Sequence, residues 1–213
     1  VIIVSLAEPT SWYASVLPTG WTTSHYEQAL GSPEAFGSIT NSLGLSFAAM
    51  MLDIGLGVLI GYLIVRTTAW GRNLLDAFCM LPLAVPGLVL AFGYVAVTLR
   101  WPFNDGRPLD GTPFDLAVLG QNPHPFPPLI LAHAVLGIPF VIITVTATLV
   151  GFDRSLTRAA ANIGAGPVTT FFRVQMPLIL PGVISGGLFA FITSFDEVVV
   201  VLFVGSASQK TLP

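Results

Sequence analysis

Four long apolar runs, separated by polar segments, dominate the pattern of this chain. They lie at Leu43–Val65, Leu74–Leu99, Pro128–Val150 and Leu178–Val204. Each is long enough for a helix to cross a hydrocarbon core about 30 Å thick, which takes roughly 20 residues. In lipid such runs must be helical, because only a helix satisfies its backbone hydrogen-bonding groups within one segment. The pattern predicts an all-α, polytopic transmembrane helical bundle with about four complete spans.

Prolines and glycines inside these runs predict where the helices bend and where they approach one another. Pro82 and Pro86 in the second span, and Pro139 in the third, predict kinks or local unwinding, because proline removes a helix hydrogen bond and clashes with the preceding turn. Glycines one turn apart let helix backbones come close together. Two such pairs occur, Gly57 with Gly61 and Gly182 with Gly186.

Composition and the placement of charge agree with a membrane protein and orient it. Charged residues make up 9% of the chain, against about 25% in soluble domains. Arg66 and Arg72 flank the first connection, and further arginines follow the third span (Arg154, Arg158 and Arg173). Two crossings separate these segments, so they share one face, which its positive charge predicts to be cytoplasmic. The opposite face carries the long outer segments 8–37 and 100–127.

The polar segment Gly151–Pro177 predicts a helix, a tight turn and a second short helix. Asp153 or Ser155 can cap the first helix, because a side-chain oxygen there accepts from free N–H groups of the first turn. Gly164 suits the left-handed residue that ends a helix. Pro167 suits the first position of the next one, which is expected to carry Phe171 and Phe172. Pattern alone leaves an ordinary connector and a docking surface both open.

The residues of this segment resemble a known family. The shared positions are Ala159, Ala160, Gly164, Ala165, Phe171, Phe172 and Pro177. They resemble the cytoplasmic "EAA" loop of ABC-importer permeases, a coupling helix that docks into the ATPase subunit. Further similar stretches lie at Tyr26–Leu30, Asn41–Met50, Leu131–Leu156 and Ser194–Val204, most like permeases of the spermidine/putrescine type. Arg158 stands where the family has glutamate, which reverses the charge at that position.

The resemblance implies a type I importer permease in the inner (plasma) membrane, with no cofactor and no enzymatic activity of its own. ATP hydrolysis would belong to a separate cytoplasmic ATPase dimer, and the other partners would be a second permease subunit and a periplasmic or extracellular substrate-binding protein. Since the family usually has about six spans, residues 1–213 are expected to form one transmembrane domain whose first span is truncated and whose last is missing. The segment 100–127 would either meet the binding protein or be a plain connection.

Polar groups inside the spans are candidates for a substrate pathway, since charge in hydrocarbon is costly and usually faces a cavity or a partner. The candidates are Asp53, His133, Ser194, Phe195, Asp196 and Glu197. Asp53 could line a pathway, meet another subunit or be protonated, and His133 could be a structural hydrogen-bonding residue. Asp196 and Glu197 would differ by about 100° around a helix, so both can face one groove only where the helix unwinds.

Other chemistries are excluded by what the sequence lacks. Lys210 is the only lysine, so no phosphate-binding G-x-x-x-x-G-K-[S/T] loop exists. The three histidines and one cysteine have no metal-ligand spacing, and no basic stripe suits nucleic acid. A polyamine is the favoured substrate, with aminoethylphosphonate or a metal complex as alternatives. Two hypotheses come from other functional classes. One is a membrane-embedded enzyme that uses Asp53, His133, Asp196 and Glu197, and the other is a purely structural subunit.

Overall fold

Helices account for the regular structure of the described parts of the chain, apart from one isolated antiparallel bridge between Ala7 and Trp21. The structure is a computed structural model that describes residues 2–8, 18–68, 70–98, 126–205 and 211. The helices are α1 (Ile2–Ser5), α2 (Ser24–Gly31), α3 (Pro33–Arg66), α4 (Arg72–Ala84), α5 (Gly87–Thr98), α6 (Phe126–Val150), α7 (Arg154–Asn162), α8 (Pro167–Thr170), α9 (Met176–Phe195) and α10 (Val199–Val204), with a π-helical turn at Phe171–Gln175 between α8 and α9.

Three helices are long and apolar enough to cross a membrane, namely α3, α6 and the continuous helix Pro167–Phe195. The pair α4 and α5 makes a fourth if its two bent halves count as one span. The predicted all-α polytopic bundle is therefore confirmed, and its second and third spans lie close to the predicted positions.

The first span begins earlier than predicted, at Pro33 instead of Leu43. Ser32 caps this helix, since its hydroxyl accepts a hydrogen bond from the Ala35 N–H at 3.2 Å, and Pro33 occupies a first-turn position where its missing N–H costs nothing. The polar residues Glu34 and Ser38 end the apolar run but not the helix. The outer segment 8–37 is thus partly helical, because α2 and the first turn of α3 lie within it.

The centre of the fold is a bundle of α3, α6 and α9. The position of a Cβ at Gly57 is occupied by the Val141 side chain, and Val145 packs against Gly61, 3.1 Å from the position of a Cβ there. Residue numbers rise together along this contact, so α3 and α6 run in the same direction. On α9 the numbers run oppositely, since Gly186 lies against Val141.

The close packing predicted at both glycine pairs is confirmed. Gly182 lies against Thr148 and the Thr144 carbonyl, where an added Cβ would come within 2.8 Å of that oxygen. A methyl group at these positions would meet the neighbouring helix, so the glycines set the distance between the helix axes.

Two of the spans are broken, and one span with an internal proline is continuous. The axes of α4 and α5 differ by 115° across Val85 and Pro86, as the second-span prolines predict. The last span, expected to be continuous, ends at Phe195 and resumes at Val199. Pro139, by contrast, lies inside α6, which continues through it without unwinding; of the kink or unwinding predicted there, the kink stays a prediction. The helices packed on both sides of α6 stabilise the helix backbone around this proline.

Buried apolar side chains form two clusters, one in each half of the bundle. The inner cluster comprises Val58, Val141, Val145, Leu149, Ile179, Val183 and Ala190 from α3, α6 and α9. The outer cluster comprises Leu45, Ala91, Leu129, Ala132, Leu136, Val200 and Val204, and brings in α5 and α10. The short segments α5 and α10 pack directly on each other, with the Phe92 and Phe203 ring centroids 4.7 Å apart.

The end of α3 and the segment 151–177 share one face of the bundle, as predicted. The guanidinium carbon of Arg66 stands 4.8 Å from the Phe152 ring centroid, a distance that suits a cation–π contact. That this face is cytoplasmic stays a prediction from the arginine count. Most of the outer segment 100–127, including all of its charged residues, lies outside the described residues, and so does Lys210.

Candidate functional site

The helix α7 begins at a side-chain cap on the shared face. Of the two predicted capping residues it is Asp153 that caps, since its Oδ1 accepts from the Ser155 N–H at 2.8 Å and its Oδ2 accepts from the Ser155 hydroxyl at 2.6 Å. Both hydrogen bonds lower the pKa of Asp153 below its ordinary value, and the bond from the Ser155 hydroxyl has the larger effect. The cap fixes the direction in which the segment leaves α6.

The turn after α7 has the predicted left-handed glycine. Gly164 has a φ of +82°, and its N–H donates to the Ala161 carbonyl at 3.0 Å. The next N–H, that of Ala165, donates to the Ala160 carbonyl at 3.0 Å. This pair of bonds is the Schellman motif, which closes a helix end by satisfying its free carbonyls. The turn is therefore held by its own backbone.

The predicted second short helix does not exist as a separate element. Pro167 begins α8 as expected, but α8 continues through the π-helical turn into α9. Phe171 and Phe172 lie on that turn, and Pro177 lies in the first turn of α9 and not at a boundary. The Met176 N–H bonds to the Phe171 carbonyl, five residues earlier. This wider turn accommodates the proline, whose missing N–H would interrupt a regular α-helix.

Several residues anchor this segment to the bundle. Phe171 meets Tyr62 of α3 edge to face, with ring centroids 5.5 Å apart and planes at 90°. Ala160, Thr170 and Gln175 are buried. These contacts hold the segment against α3.

The outward surface of the segment is apolar at its tip. Ile163 is 85% exposed, Val168 68% and Phe172 62%, while Arg158 and Ala159 are also exposed. Of these, Ile163 and Val168 were not among the predicted site residues. A signal was present, because each is an aliphatic side chain directly beside a turn glycine or proline within a polar segment.

A groove lies between this segment and α3. It has a volume of about 410 Å³ and is lined by Gly55, Val58, Leu59, Tyr62, Pro167, Val168, Phe171 and Phe172. Its lining is almost entirely apolar. The tip residues Val168 and Phe172 therefore form one wall of a concave surface.

Three of the predicted pathway residues lie together inside the bundle. Asp53, His133 and Ser194 are buried, the first two with no exposed surface. An added Cβ at Gly137 would overlap the Asp53 carboxylate and stand 3.1 Å from the Ala190 Cβ. Asp53 therefore occupies the junction of α3, α6 and α9. His133 and Ser194 lie one turn farther along α6 and α9, in the direction of the outer cluster.

These interior groups are incompletely paired. The His133 Nδ1 donates to the Leu129 carbonyl at 2.8 Å, which agrees with a structural role, but its Nε2 has no hydrogen-bond partner among the described residues. Neither oxygen of Asp53 has one there, nor has the Ser194 hydroxyl. Asp53 faces its own chain's interior, so it is poorly placed to meet another subunit.

A polar stripe on α3 leads to Asp53 and was missed from the sequence. Ser42, Ser46 and Ala49 are buried along with Asp53 and Gly57. Their spacings of three or four residues put them on one face of the helix. This periodicity of small and polar residues was readable in advance, but the surrounding leucines and phenylalanines obscured it.

The two acidic residues after α9 are separated by the break in the last span. Asp196 is exposed, whereas Glu197 is half-buried. The Glu197 Oε1 accepts from the Val200 N–H at 3.0 Å and so caps α10. The unwinding that would let both acids face one groove does occur here, but the structure gives them different surroundings.

Phe195 stacks on Phe191, with ring centroids 6.0 Å apart. Within the described residues no group of three His, Cys, Asp or Glu side chains could hold a metal ion.

Comparison with protein families identifies a match over most of the chain. Residues 53–212 match the family described as "Binding-protein-dependent transport system inner membrane component". The match begins at Asp53, the residue at the three-helix junction, and it includes the whole segment 151–177.

Individual relatives are transport permeases. The putrescine transport system permease protein PotI of Escherichia coli is 28% identical over 201 residues, 91% of this chain and 65% of that protein. The spermidine/putrescine permease PotC of Haemophilus influenzae is 27% identical over 91% of this chain and 68% of its own length. The molybdenum permease ModB of E. coli is 33% identical over 73% of this chain and 66% of its own. The chain thus spans just under two thirds of the length of the putrescine permease.

Proposed function

Since this chain belongs to the family of binding-protein-dependent transport system inner membrane components, we propose that it is a permease subunit of an ATP-driven importer. As a multi-pass inner-membrane protein of this family, it would pair with a second permease subunit. A substrate-binding protein would deliver the solute at the outer face. A cytoplasmic ATPase dimer would supply the driving force, as the resemblance of the 151–177 segment to a coupling loop implies.

The exposed apolar tip of the 151–177 segment is the observation that carries this proposal. Ile163, Val168 and Phe172 expose aliphatic and aromatic surface on this segment. Exposed apolar side chains within a polar segment are typical of a docking site. The Schellman turn holds the tip in shape, so little conformational freedom is lost on binding.

The path from this tip to the interior is short and continuous. Val168 lies on α8, and the helix runs from there without a break to Phe195. Phe171 links the same helix to α3 through Tyr62. We propose that movement of the ATPase tilts these helices together. Only a partner with different affinity for two states can shift an equilibrium, so the ATPase must contact the tip differently in each state.

The charge at Arg158 gives the proposed contact a specific requirement. Arg158 is exposed on α7, where the resembling loops carry glutamate. An arginine favours a carboxylate partner and disfavours another arginine or lysine. We therefore propose that the matching ATPase offers an acidic or neutral surface opposite this position.

Docking is tested with Ile163→Asp in the full-length protein, copurified with its ATPase in mild detergent. A charge at the tip should reduce recovery of the ATPase at least tenfold and abolish ATP-driven transport. Leu30→Asp is the matched control, because Leu30 is also an exposed aliphatic residue (64%) on a short helix but lies on the outer segment. Full ATPase recovery with Ile163→Asp would rule out docking at this tip.

A polyamine is the proposed substrate. Two relatives named for putrescine support it, and Asp196 is an exposed carboxylate next to the Phe191–Phe195 ring pair. An aromatic face attracts an ammonium group and also packs against a carbon chain. We propose Asp196 and Phe195 as substrate contacts. The buried residues Asp53, His133 and Ser194 would lie deeper along the same pathway. The relative named for molybdenum makes an oxyanion the second candidate.

Uptake by the complete transporter in vesicles separates these substrates. Putrescine and spermidine should accumulate and compete with each other, while molybdate at the same concentration should have no effect. Asp196→Asn should raise the KM for the polyamine about tenfold, which corresponds to about 1.4 kcal/mol of lost binding. Uptake of molybdate instead of putrescine would reject the polyamine, while leaving the docking proposal intact.

A further inference from the structure

The two broken spans meet at their breaks. The second span is interrupted at Val85 and Pro86, and the last between Asp196 and Val198. The halves beyond the breaks, α5 and α10, pack on each other through the outer cluster and through the Phe92–Phe203 ring contact. The helical halves before the breaks pack elsewhere; α9, for example, is part of the three-helix bundle.

Glu197 lies where both outer halves begin. Its Oε1 accepts from the Val200 N–H at 3.0 Å, at the start of α10. Its Oε2 is 4.0 Å from the position of a Cβ on Gly87, the first residue of α5. Free N–H groups give the first turn of a helix a positive partial charge, which a carboxylate stabilises. The carboxylate therefore accepts a hydrogen bond at the start of α10 and lies beside the start of α5, which is distant in sequence.

His133 lies on α6, one turn from Gly137, which contacts Asp53. Asp196 has the same charge as Glu197 but is exposed. The two adjacent acids thus have different surroundings, and Glu197 is the half-buried one.

We propose that Glu197 is a positioning residue that holds α5 and α10 together as one body, the outer flap, which moves about the two breaks during transport. In this account Glu197 does not contact the substrate. The flap would change the access of the interior to the outer face while the three-helix bundle stays intact. Only the transport consequence rests on the proposed function, whereas the joining of α5 and α10 is a property of the chain itself.

The test compares Glu197→Ala, Glu197→Gln and Asp196→Asn in the complete transporter in lipid nanodiscs. Amide hydrogen exchange is followed in peptides covering residues 86–98 and 196–204, and transport gives a maximal rate and a KM. Glu197→Ala should speed exchange in both peptides about fivefold, the factor equivalent to about 1 kcal/mol for a lost cap. It should lower the maximal rate and leave the KM unchanged.

The two other variants separate positioning from substrate binding. Glu197→Gln keeps a carbonyl oxygen that can accept from Val200, so it should restore most of the protection in 196–204 and most of the maximal rate. Asp196→Asn should raise the KM without changing exchange in 86–98.

Two results would overturn the inference. One is faster exchange confined to 196–204 in Glu197→Ala, which would mean that α5 is not held by this residue. The other is a raised KM in both Glu197 variants at unchanged exchange, the behaviour of a substrate ligand. If no variant or parent transports any solute tested, the exchange measurements still decide whether Glu197 joins the two helices.

Discussion

The inner and outer halves of this bundle both have apolar cores but pack in different ways. In the inner half, α3, α6 and α9 are uninterrupted and touch through glycines, as at Gly57 and Gly186. In the outer half, α5 and α10 are short segments beyond helix breaks and touch through large side chains such as Phe92 and Phe203. The chain thus combines a tightly packed bundle with a pair of short segments joined to it at two breaks.

The difference shows what holds helices together in lipid. Lipid tails are as apolar as leucine, so burial of apolar area gives little drive for one helix to leave lipid for another. Close backbone approach, which the inner glycines permit, then supplies the stability. The outer segments lack such glycine contacts in the described residues and depend on side-chain packing and on the Glu197 cap. The inner half should therefore tolerate substitution least.

The largest expected effect is at Gly186. A Cβ there would overlap the Thr144 hydroxyl and stand 2.8 Å from the Val141 Cα, so Gly186→Ala must push α9 away from α6. Overpacking of this kind costs about 1–3 kcal/mol, and the upper end is expected because a backbone atom is in the way. Thermal unfolding in detergent measures it.

Gly44→Ala on α3 is the matched control for that measurement. Among the described residues, no atom outside the local turn of α3 lies within 4 Å of a Cβ at Gly44, so the change should be neutral or stabilise the helix by up to about 1 kcal/mol. Equal stability changes in the two variants would show that glycine contacts do not distinguish the inner half.

A smaller effect is expected where the two halves meet, at Gly137 and Asp53. Gly137→Ala should destabilise by about 2 kcal/mol, because its methyl group would take the space of the Asp53 carboxylate and stand 3.1 Å from the Ala190 Cβ. In an Asp53→Ala background the same change should cost about 1 kcal/mol less. A double-mutant cycle measures this coupling. Additive effects would mean that the carboxylate is not what fills the space.

The smallest effect concerns the capped end of α7, outside both halves. The hydrogen bonds from Ser155 lower the pKa of Asp153 from its ordinary value of 3.8. A depressed carboxyl pKa stabilises the fold above the unfolded pKa, and this contribution is lost as the pH falls through the folded value. Exchange of the Ser155 amide should therefore accelerate below about pH 4, the region of an ordinary Asp pKa.

Asp153→Asn serves as the control for this pH dependence. The asparagine side-chain oxygen can still cap α7 but does not titrate, so its exchange profile should lack the acid-side rise beyond the ordinary pH dependence of exchange. A rise of the same size in both proteins would assign it to another group.

Much of this fold could be predicted from the sequence because the signals are local. Apolar runs of membrane length indicate the spans, and the family resemblance rests on short stretches of neighbouring residues, most clearly in the segment 151–177. Asp153, Gly164 and Pro167 set the shape of the 151–177 turn through their own backbone and side-chain chemistry. The Gly-x-x-x-Gly pairs also predicted close packing, although not which helices would meet.

Tertiary structure alone decided the rest, because it depends on contacts between residues distant in sequence. Asp196 and Glu197 are equivalent in the sequence, yet one is exposed and the other caps α10 beside Gly87. Pro86 borders a break while Pro139 lies inside an intact helix, a difference set by the helices packed around each. Burial and pairing of a polar group follow from what surrounds it in space, and helix periodicity specifies only the direction in which it points.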